Sequence, residues 1–424
     1  MRDHAANWLE VAERVFNFRR DQLSDAQRQL LADTVAELKA LLKAKADTAK
    51  LKRGIEALEG VLQKTGGRQY PANSIVENVE FFLVAAIVIL GLRAYFIQPF
   101  KIPTNSMWPT YYGMTHEIFK PGEEPSLLQS AGRFLALGAS RYEVIAPADG
   151  DLKVPVLNNL RIAYTLKRDR MFWVIPTTVR EYTFLVDGTP TRIVVPADFD
   201  LEKVLEEKFA GKGENLSANL RNLFGETGTN PETSMINISA GGPSSSERVF
   251  WLPLAKNVKQ GEKVISFDIL TGDLLFVDRI SYNFFPPKVG QGFVFKTENI
   301  NSNYMQDYAG NQTKQYYIKR LVGAPGDTLA VNDAMLIRND QPIEGAAAFA
   351  RNAQRAGKYA GYSNVGFLSE GKTLTVEPRS YFAMGDNSRN SLDSRYWGFV
   401  PEKDVVGKPL FIYYPLTKRW GPAQ

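Results

Sequence analysis

The sequence predicts a mainly β protein carried behind a helical N-terminus. Three observations predict it. Short runs rich in β-branched and aromatic residues, bounded by turn residues, fill the chain after residue 150. Leucines recur at helical spacing before residue 65, and one long apolar run separates the two textures. With 424 residues the chain has room for two or three domains.

Residues 4–64 read as soluble helices. Leu31, Val35, Leu38 and Leu42 repeat at four-three-four spacing, and Leu51, Ile55, Leu58 and Leu62 repeat the pattern. Ser24 with Gln27 has the form of a capping box, which would open the first of these helices. "KAKADTAK" interrupts the apolar seam, so a helical hairpin or short coiled coil is expected rather than one rod. Such an arm serves either as a partner or dimerisation element or as a solvated extension. "KTGGRQYPAN" is a linker, closing a first region at residue 74.

The segment 75–97 is the expected transmembrane helix. From Phe81 to Leu92 nothing is polar beyond glycine, and apolar character continues past Arg93 to Ile97. A span needs about 20 mostly apolar residues, and Glu77, Glu80 and Arg93 fall near its ends, where long side chains reach the interface. A buried core helix is the other reading. Its position, some way into the chain, and the lack of a small-residue cleavage pattern exclude a cleavable signal peptide. Lys50, Lys52, Arg53, Lys64 and Arg68 precede it, whereas Lys101 and Lys120 follow it. The positive-inside rule then puts the N-terminus in the cytoplasm and the rest outside.

Beyond the span, "LRIAYTL", "MFWVIPTTV", "YTFLVDG" and "TRIVVPA" suggest strands, and "DLEKVLEEKFAG" a charged helix. Residues 211–248 read as loop. Strands resume with "DLLFVDRISY", "GFVFK", "QYYIKRLVGA", "TLTVEP" and "YFAMGD".

Composition narrows the chemistry. Lys and Arg number 51 against 46 Asp and Glu, a formal charge of +5 without a basic patch, so nucleic acid is not an expected partner. No cysteine is present and only two histidines, His4 and His116, so thiolate and histidine metal sites are not expected. Ser106, just outside the span, needs a base to become a nucleophile. His116 is a lone histidine, more often a surface or satisfied residue. The remaining bases are carboxylates and a desolvated lysine. In "QYYIKRLVGAPGD" a strand would put Lys319 on one face with Tyr317 and Leu321, and Arg320 on the other. Apolar neighbours would lower its pKa, and bringing it from about 10.4 to near 8 takes roughly 3 kcal/mol. Read alone, the segment favours a strand lysine facing water. The S-x-x-K arrangement is absent at Ser106, where the fourth residue is Pro109. Ser369 to Lys372 matches that string, but its glycine denies it a helix.

Four stretches occur in order after the span: "FKIPTNSMWPT", "GDLLFVDRISY", "YYIKRLVGAPGDTL" and "MGDNSRNSLDSRYWGFVP". Together they resemble the signature boxes of bacterial type I signal peptidases, over residues 91–112, 271–296, 315–330 and 380–408. The resemblance implies an antiparallel β catalytic core, here 98–113 with 271–424, and a serine endopeptidase that removes signal peptides through an acyl-enzyme. It implies Ser106 as nucleophile and Lys319 as general base, Thr104 completing the oxyanion hole, and Ser391 hydrogen-bonding the lysine amine. Arg320, Asp386, Asp393 and Arg395 would buttress the site through salt links. Phe100, Ile102, Tyr317 and Ile318 would wall shallow pockets for small side chains. No metal or cofactor is implied. Expected partners are precursors bearing signal peptides, membrane lipid and the secretion machinery, with the protein single-pass in the plasma (inner) membrane.

Three departures stand out. The last box reads "GDNSRN" where many members have "GDNRDN". One span and a hydrophilic arm replace the two N-terminal spans of many relatives from double-membraned bacteria. Residues 114–270 form an insertion, expected to be β-rich. Within it "APADGDLKVP" resembles a lipoyl-type turn, but its lysine is misplaced for attachment. Two other functions remain open: a catalytically silent scaffold of the secretion machinery, and a self-cleaving regulator with the same dyad.

Overall fold

The computed structural model describes residues 1–424 apart from 68, 71–73, 172–174, 210–231, 239–244, 307–310 and 424. The chain divides into two units, Met1–Leu92 and Arg93–Gln424.

In the first unit, three helices, Arg2–Arg19, Asp25–Lys43 and Thr48–Thr65, share one apolar core. Leu31 and Leu38 of the second meet Leu51, Leu58 and Leu62 of the third. Gly54 lets those helices close up, since a Cβ there would stand 3.0 Å from Leu38. Ser24 and Gln27 form the reciprocal capping box, and Asp47 caps the third helix by accepting from the Lys50 amide. The helix before Ser24 falls within the stretch 4–64 read as helical, but no apolar seam marks it in the sequence. It seals the bundle with Ala5, Ala12 and Val15, small residues that give a weak periodic signal. A further helix, Ser74–Tyr95, is apolar and buries none of its membrane-length stretch Ile75–Tyr95. At 1.5 Å per residue it matches the roughly 30 Å hydrocarbon thickness of a bilayer.

The second unit is mostly antiparallel β. Its largest described sheet has the order Ile97–Lys101, Leu274–Asp278, Val405–Tyr414, Gly292–Lys296, Tyr316–Gly323, Ser380–Met384, Val400–Pro401, with Gly421–Pro422 added to Val405–Tyr414. Ile97–Lys101 is an edge strand. Phe100 lies opposite Leu275, and Lys319 opposite Phe293. Ile102, Met107, Tyr111, Leu275, Val277 and Val294 form the core beneath this end of the sheet.

Between Lys101 and Leu274 the chain builds two more sheets. Thr115–Ile118, Lys263–Leu270 and Ser140–Ile145 form one; Thr165–Met171, Ile175–Val186, Gly150–Val156, Ser245–Val258, Thr233–Ile238 and Thr189–Pro196 form the other. They share a core running from Met114 to Ile269.

Several local expectations need correction. "LRIAYTL" begins as a turn, with Leu160 at φ +61, and its strand starts only at Thr165. "TTV" and "YTFLV" belong to one strand, Ile175–Val186. Thr233–Ile238, read as loop, pairs with Ser245–Val258; the rest of that loop-rich stretch up to residue 244 lies mostly outside the described residues. The helix Leu127–Leu137 lies in a stretch for which no helix is expected.

Candidate active site

Ser106 sits in a single 3-10 turn, Asn105–Met107, entered from the extended residue Thr104. Side-chain amides hold this turn in place. Asn105 Nδ2 donates to the Met114 carbonyl at 3.1 Å, and Asn105 Oδ1 accepts from the Gly113 amide at 2.9 Å. From the opposite side Asn387 donates its amide N–H to the Ser106 carbonyl at 3.0 Å and its Nδ2 to the Asn105 carbonyl at 3.0 Å. Gly113 is required by proximity: a Cβ there would lie 2.3 Å from the Thr104 carbonyl carbon. The Ser106 backbone is thus fixed by groups from both ends of the second unit.

Lys319, in the strand Tyr316–Gly323, is 4% exposed, and its Nζ lies 2.5 Å from Ser106 Oγ. Burial drives its pKa down to about 8; Asp393 opposes the shift, Arg395 adds to it and Asp386 opposes it. With the amine neutral, the serine hydroxyl becomes the donor across that contact. The Tyr317 ring lies 5.5 Å from Nζ.

Two buried ion pairs flank the Ser106–Lys319 contact. Arg320, next to Lys319 but on the opposite face, donates Nε and Nη2 to the two oxygens of Asp386 at 2.7 and 2.6 Å. Asp386 also accepts from Thr110 Oγ1 at 2.5 Å, which ties it to the segment after Ser106. Arg395 makes the same two-pronged contact with Asp393 at 2.8 Å on both oxygens, and donates to the Ser388 hydroxyl and carbonyl, each at 2.7 Å. Asp393 accepts from the Gly385 amide as well, so its carboxylate fixes the end of the strand Ser380–Met384. Each carboxylate is fully partnered, the condition under which a buried pair is tolerated.

The other residues named from the sequence are placed as follows. Thr104 Oγ1 stands a long 3.5 Å from Ser106 Oγ. Phe100, Ile102, Tyr317 and Ile318 all line a cleft of about 880 Å³ that opens onto Ser106 and Lys319. Ser391 is buried in the same cleft wall, but the hydrogen bond implied between it and Lys319 is not made. The lysine's bond goes to Ser106, and Ser391 Oγ has no hydrogen-bond partner. His116 lies away from the dyad, paired with Glu207 at 2.8 Å. The sequence reading missed Asn105, Asn387 and Thr110, whose roles are visible only as contacts across the fold. It also missed Asp198, Asp200 and Lys203, which the insertion contributes to the cleft wall.

Comparison with known proteins adds the following. Residues 250–414 match the family model "Signal peptidase, peptidase S26". A probable signal peptidase I-1 of Synechocystis sp. is 31% identical over 162 residues, 35% of this chain and 66% of the relative. A signal peptidase I of Leptolyngbya laminosa is 31% identical over 147 residues, 34% of this chain and 62% of the relative. The chain thus spans somewhat under two thirds of the length of these relatives. A solved signal peptidase I from Enterococcus faecalis V583 is 27% identical, corresponding to 29% of this chain and 97% of its own, with a TM-score of 0.22.

Proposed function

The chain belongs to the signal peptidase family, peptidase S26, and from that premise we propose that it is a membrane-bound serine endopeptidase that removes signal peptides from exported precursors. The observation that carries the reading is the 2.5 Å contact between Ser106 Oγ and a buried lysine whose pKa lies near 8. A lysine in water is protonated at neutral pH and cannot accept a proton; this one is neutral in roughly a tenth of molecules at pH 7, hundreds of times more often.

In this reading Lys319 takes the Ser106 proton as Oγ attacks the scissile carbonyl. The Ser106 amide and the Thr104 hydroxyl receive the developing oxyanion. The regenerated amine then activates the water that releases the acyl-enzyme, and Ser391 steadies it once Ser106 is acylated. The ion pairs Arg320–Asp386 and Arg395–Asp393 hold the strands that carry these groups. A precursor lies extended along the free edge of Ile97–Lys101, with backbone bonds along the edge and small side chains directed at Phe100, Ile102, Tyr317 and Ile318.

The topology is part of the proposal. Ile75–Tyr95 spans the plasma membrane once, residues 1–74 stay cytoplasmic, and 98–113 with 271–424 form the extracytoplasmic peptidase interrupted by the insertion 114–270. Membrane lipid and the secretion machinery are its surroundings. The bond to be cut then emerges next to Ser106, eleven residues past Tyr95. The test is incubation of the detergent-solubilised protein with a labelled precursor beside its Ser106→Ala variant. Precursor shortened by wild type alone supports the reading; equal processing by both rejects it.

A further inference from the structure

The helix Leu127–Leu137 presents the wrong side to solvent for a water-soluble surface. Its charged side chain faces the protein: Arg133 donates Nε to Asp268 at 2.9 Å and Nη2 to Glu117 at 2.6 Å. At 3.6 residues per turn, Leu127, Leu128, Ala131, Phe134 and Leu135 fall on one stripe, and that stripe points outward. Leu127 is 93% exposed, Leu128 85% and Leu135 72%, and no residue of the helix is buried.

The helix is firmly attached. Ser126 and Gln129 form a capping box, and Gly138 ends the helix in the left-handed conformation. The Tyr414 hydroxyl donates to the Phe134 carbonyl at 2.9 Å, and the Leu416 amide to the Ala136 carbonyl at 2.9 Å. The apolar stripe is therefore held in a fixed place.

Its location indicates what covers it. The segment that grips the helix itself exposes Leu416 (59%) and Trp420 (54%). Tyr414 lies opposite Leu274, which lies opposite Lys101, in the strand that starts at Ile97, two residues past the end of the apolar helix at Tyr95. With strands about 4.8 Å apart and about 3.4 Å per residue, Tyr414 is within about 20 Å of Ile97. A chain leaving a bilayer at Tyr95 thus keeps this helix close to the headgroup layer. A leucine-rich face without charge, held by a segment that itself exposes Leu416 and Trp420, suits that layer. The stripe is roughly 16 Å long and one helix wide, small beside the about 800 Å² per partner of a stable protein interface.

We propose that Leu127–Leu137 lies in the plane of the membrane interface, giving the extracytoplasmic unit a second contact with the lipid surface. This rests on reading Ile75–Tyr95 as a bilayer span, and the test separates the two. The chain has no cysteine, so single-site labelling needs no background removal. Leu128→Cys, Leu135→Cys and, in the span, Leu83→Cys are each labelled with an environment-sensitive fluorophore. The full-length protein is reconstituted in vesicles of phosphatidylcholine and phosphatidylglycerol with and without spin-labelled lipid. The expected result is at least twofold quenching at 128 and 135 by a shallow label, and at 83 by a deep one. Quenching at 83 alone overturns the helix proposal and leaves the span standing. No quenching at any site overturns both. A signal at 128 and 135 that follows protein density and ignores the lipid quencher assigns the stripe to a second copy and also overturns the proposal.

Discussion

Gly385 lies so close to Ser391 that a Cβ on it would stand 2.3 Å from the Ser391 hydroxyl and 2.4 Å from the Ser106 carbonyl oxygen. Real Cβ atoms do not approach this closely, and the Ser106 carbonyl is backbone held by Asn387. Gly385→Ala should therefore push the nucleophile's turn away from Lys319. We expect turnover to fall about 100-fold or more, since a displacement near 1 Å is enough for that. A folded variant with wild-type kcat would show that this approach is irrelevant to the chemistry.

Burial of Lys319 fixes a pH profile. In the proposed mechanism the neutral amine is the base, so kcat/KM should rise tenfold per pH unit below the depressed pKa of about 8 and level off above it. Lys319→Arg should be inactive across the range, because its guanidinium stays protonated. A flat profile between pH 6 and 8, or turnover by the arginine variant, would remove the lysine from its role as base.

The same shift makes Lys319 a cost to stability. Its folded pKa lies below the unfolded value, so between about pH 8 and 10.4 the unfolded chain binds a proton that the folded chain does not, and stability rises with pH. Below pH 8 the penalty is complete, on the order of 3 kcal/mol. Replacing the residue by methionine removes this penalty and forfeits one hydrogen bond to Ser106, about 1 kcal/mol. Lys319→Met should melt higher than wild type at pH 7, with the gap narrowing towards pH 10. Thermal melts at the two pH values measure it; a gap that widens with pH contradicts the assignment.

Thr104 tests the oxyanion site. Its hydroxyl is 3.5 Å from Ser106 Oγ, close enough to share a reacting carbonyl with it. Thr104→Ser keeps the donor and should keep most activity. Thr104→Val keeps the shape and should lower kcat about 10²–10³-fold with KM nearly unchanged. Equal kinetics for the two variants would leave Thr104 a role in shaping the turn only.

The legible parts of this molecule were those written in local pattern. The leucine seams of Asp25–Lys43 and Thr48–Thr65, the Ser24 cap and the apolar helix follow from residue spacing. The alternation around Lys319 placed it on the same face as Tyr317 and Leu321, away from Arg320, but could not say whether that face is dry. Its burial depends on the Ser106 turn closing over it, a contact that no local window contains. Arg2–Arg19 lay within the stretch read as helical, but its bounds could not be drawn because small residues, Ala5, Ala12 and Val15, carry its buried face. Leu127–Leu137 was missed because its leucines are an outward stripe in a segment read for strands. The insertion's share of the cleft, Asp198, Asp200 and Lys203, is invisible without the tertiary fold.

The serine and its lysine are 213 positions apart in the chain, and that interval has a duration. At about 5–20 residues per second of synthesis, Ser106 precedes its base by roughly 10–40 s. Throughout that time the serine is an ordinary alcohol, with no buried amine, no Asn387 clamp and no completed sheet around it. If the proposed dyad is right, a chain stalled before Lys319 would expose the Ser106 segment without any power to cut. On the proposed function, proteolytic competence arrives only when the strand carrying Lys319 and the loop carrying Asn387 have been delivered, so assembly of the site is itself the activation step.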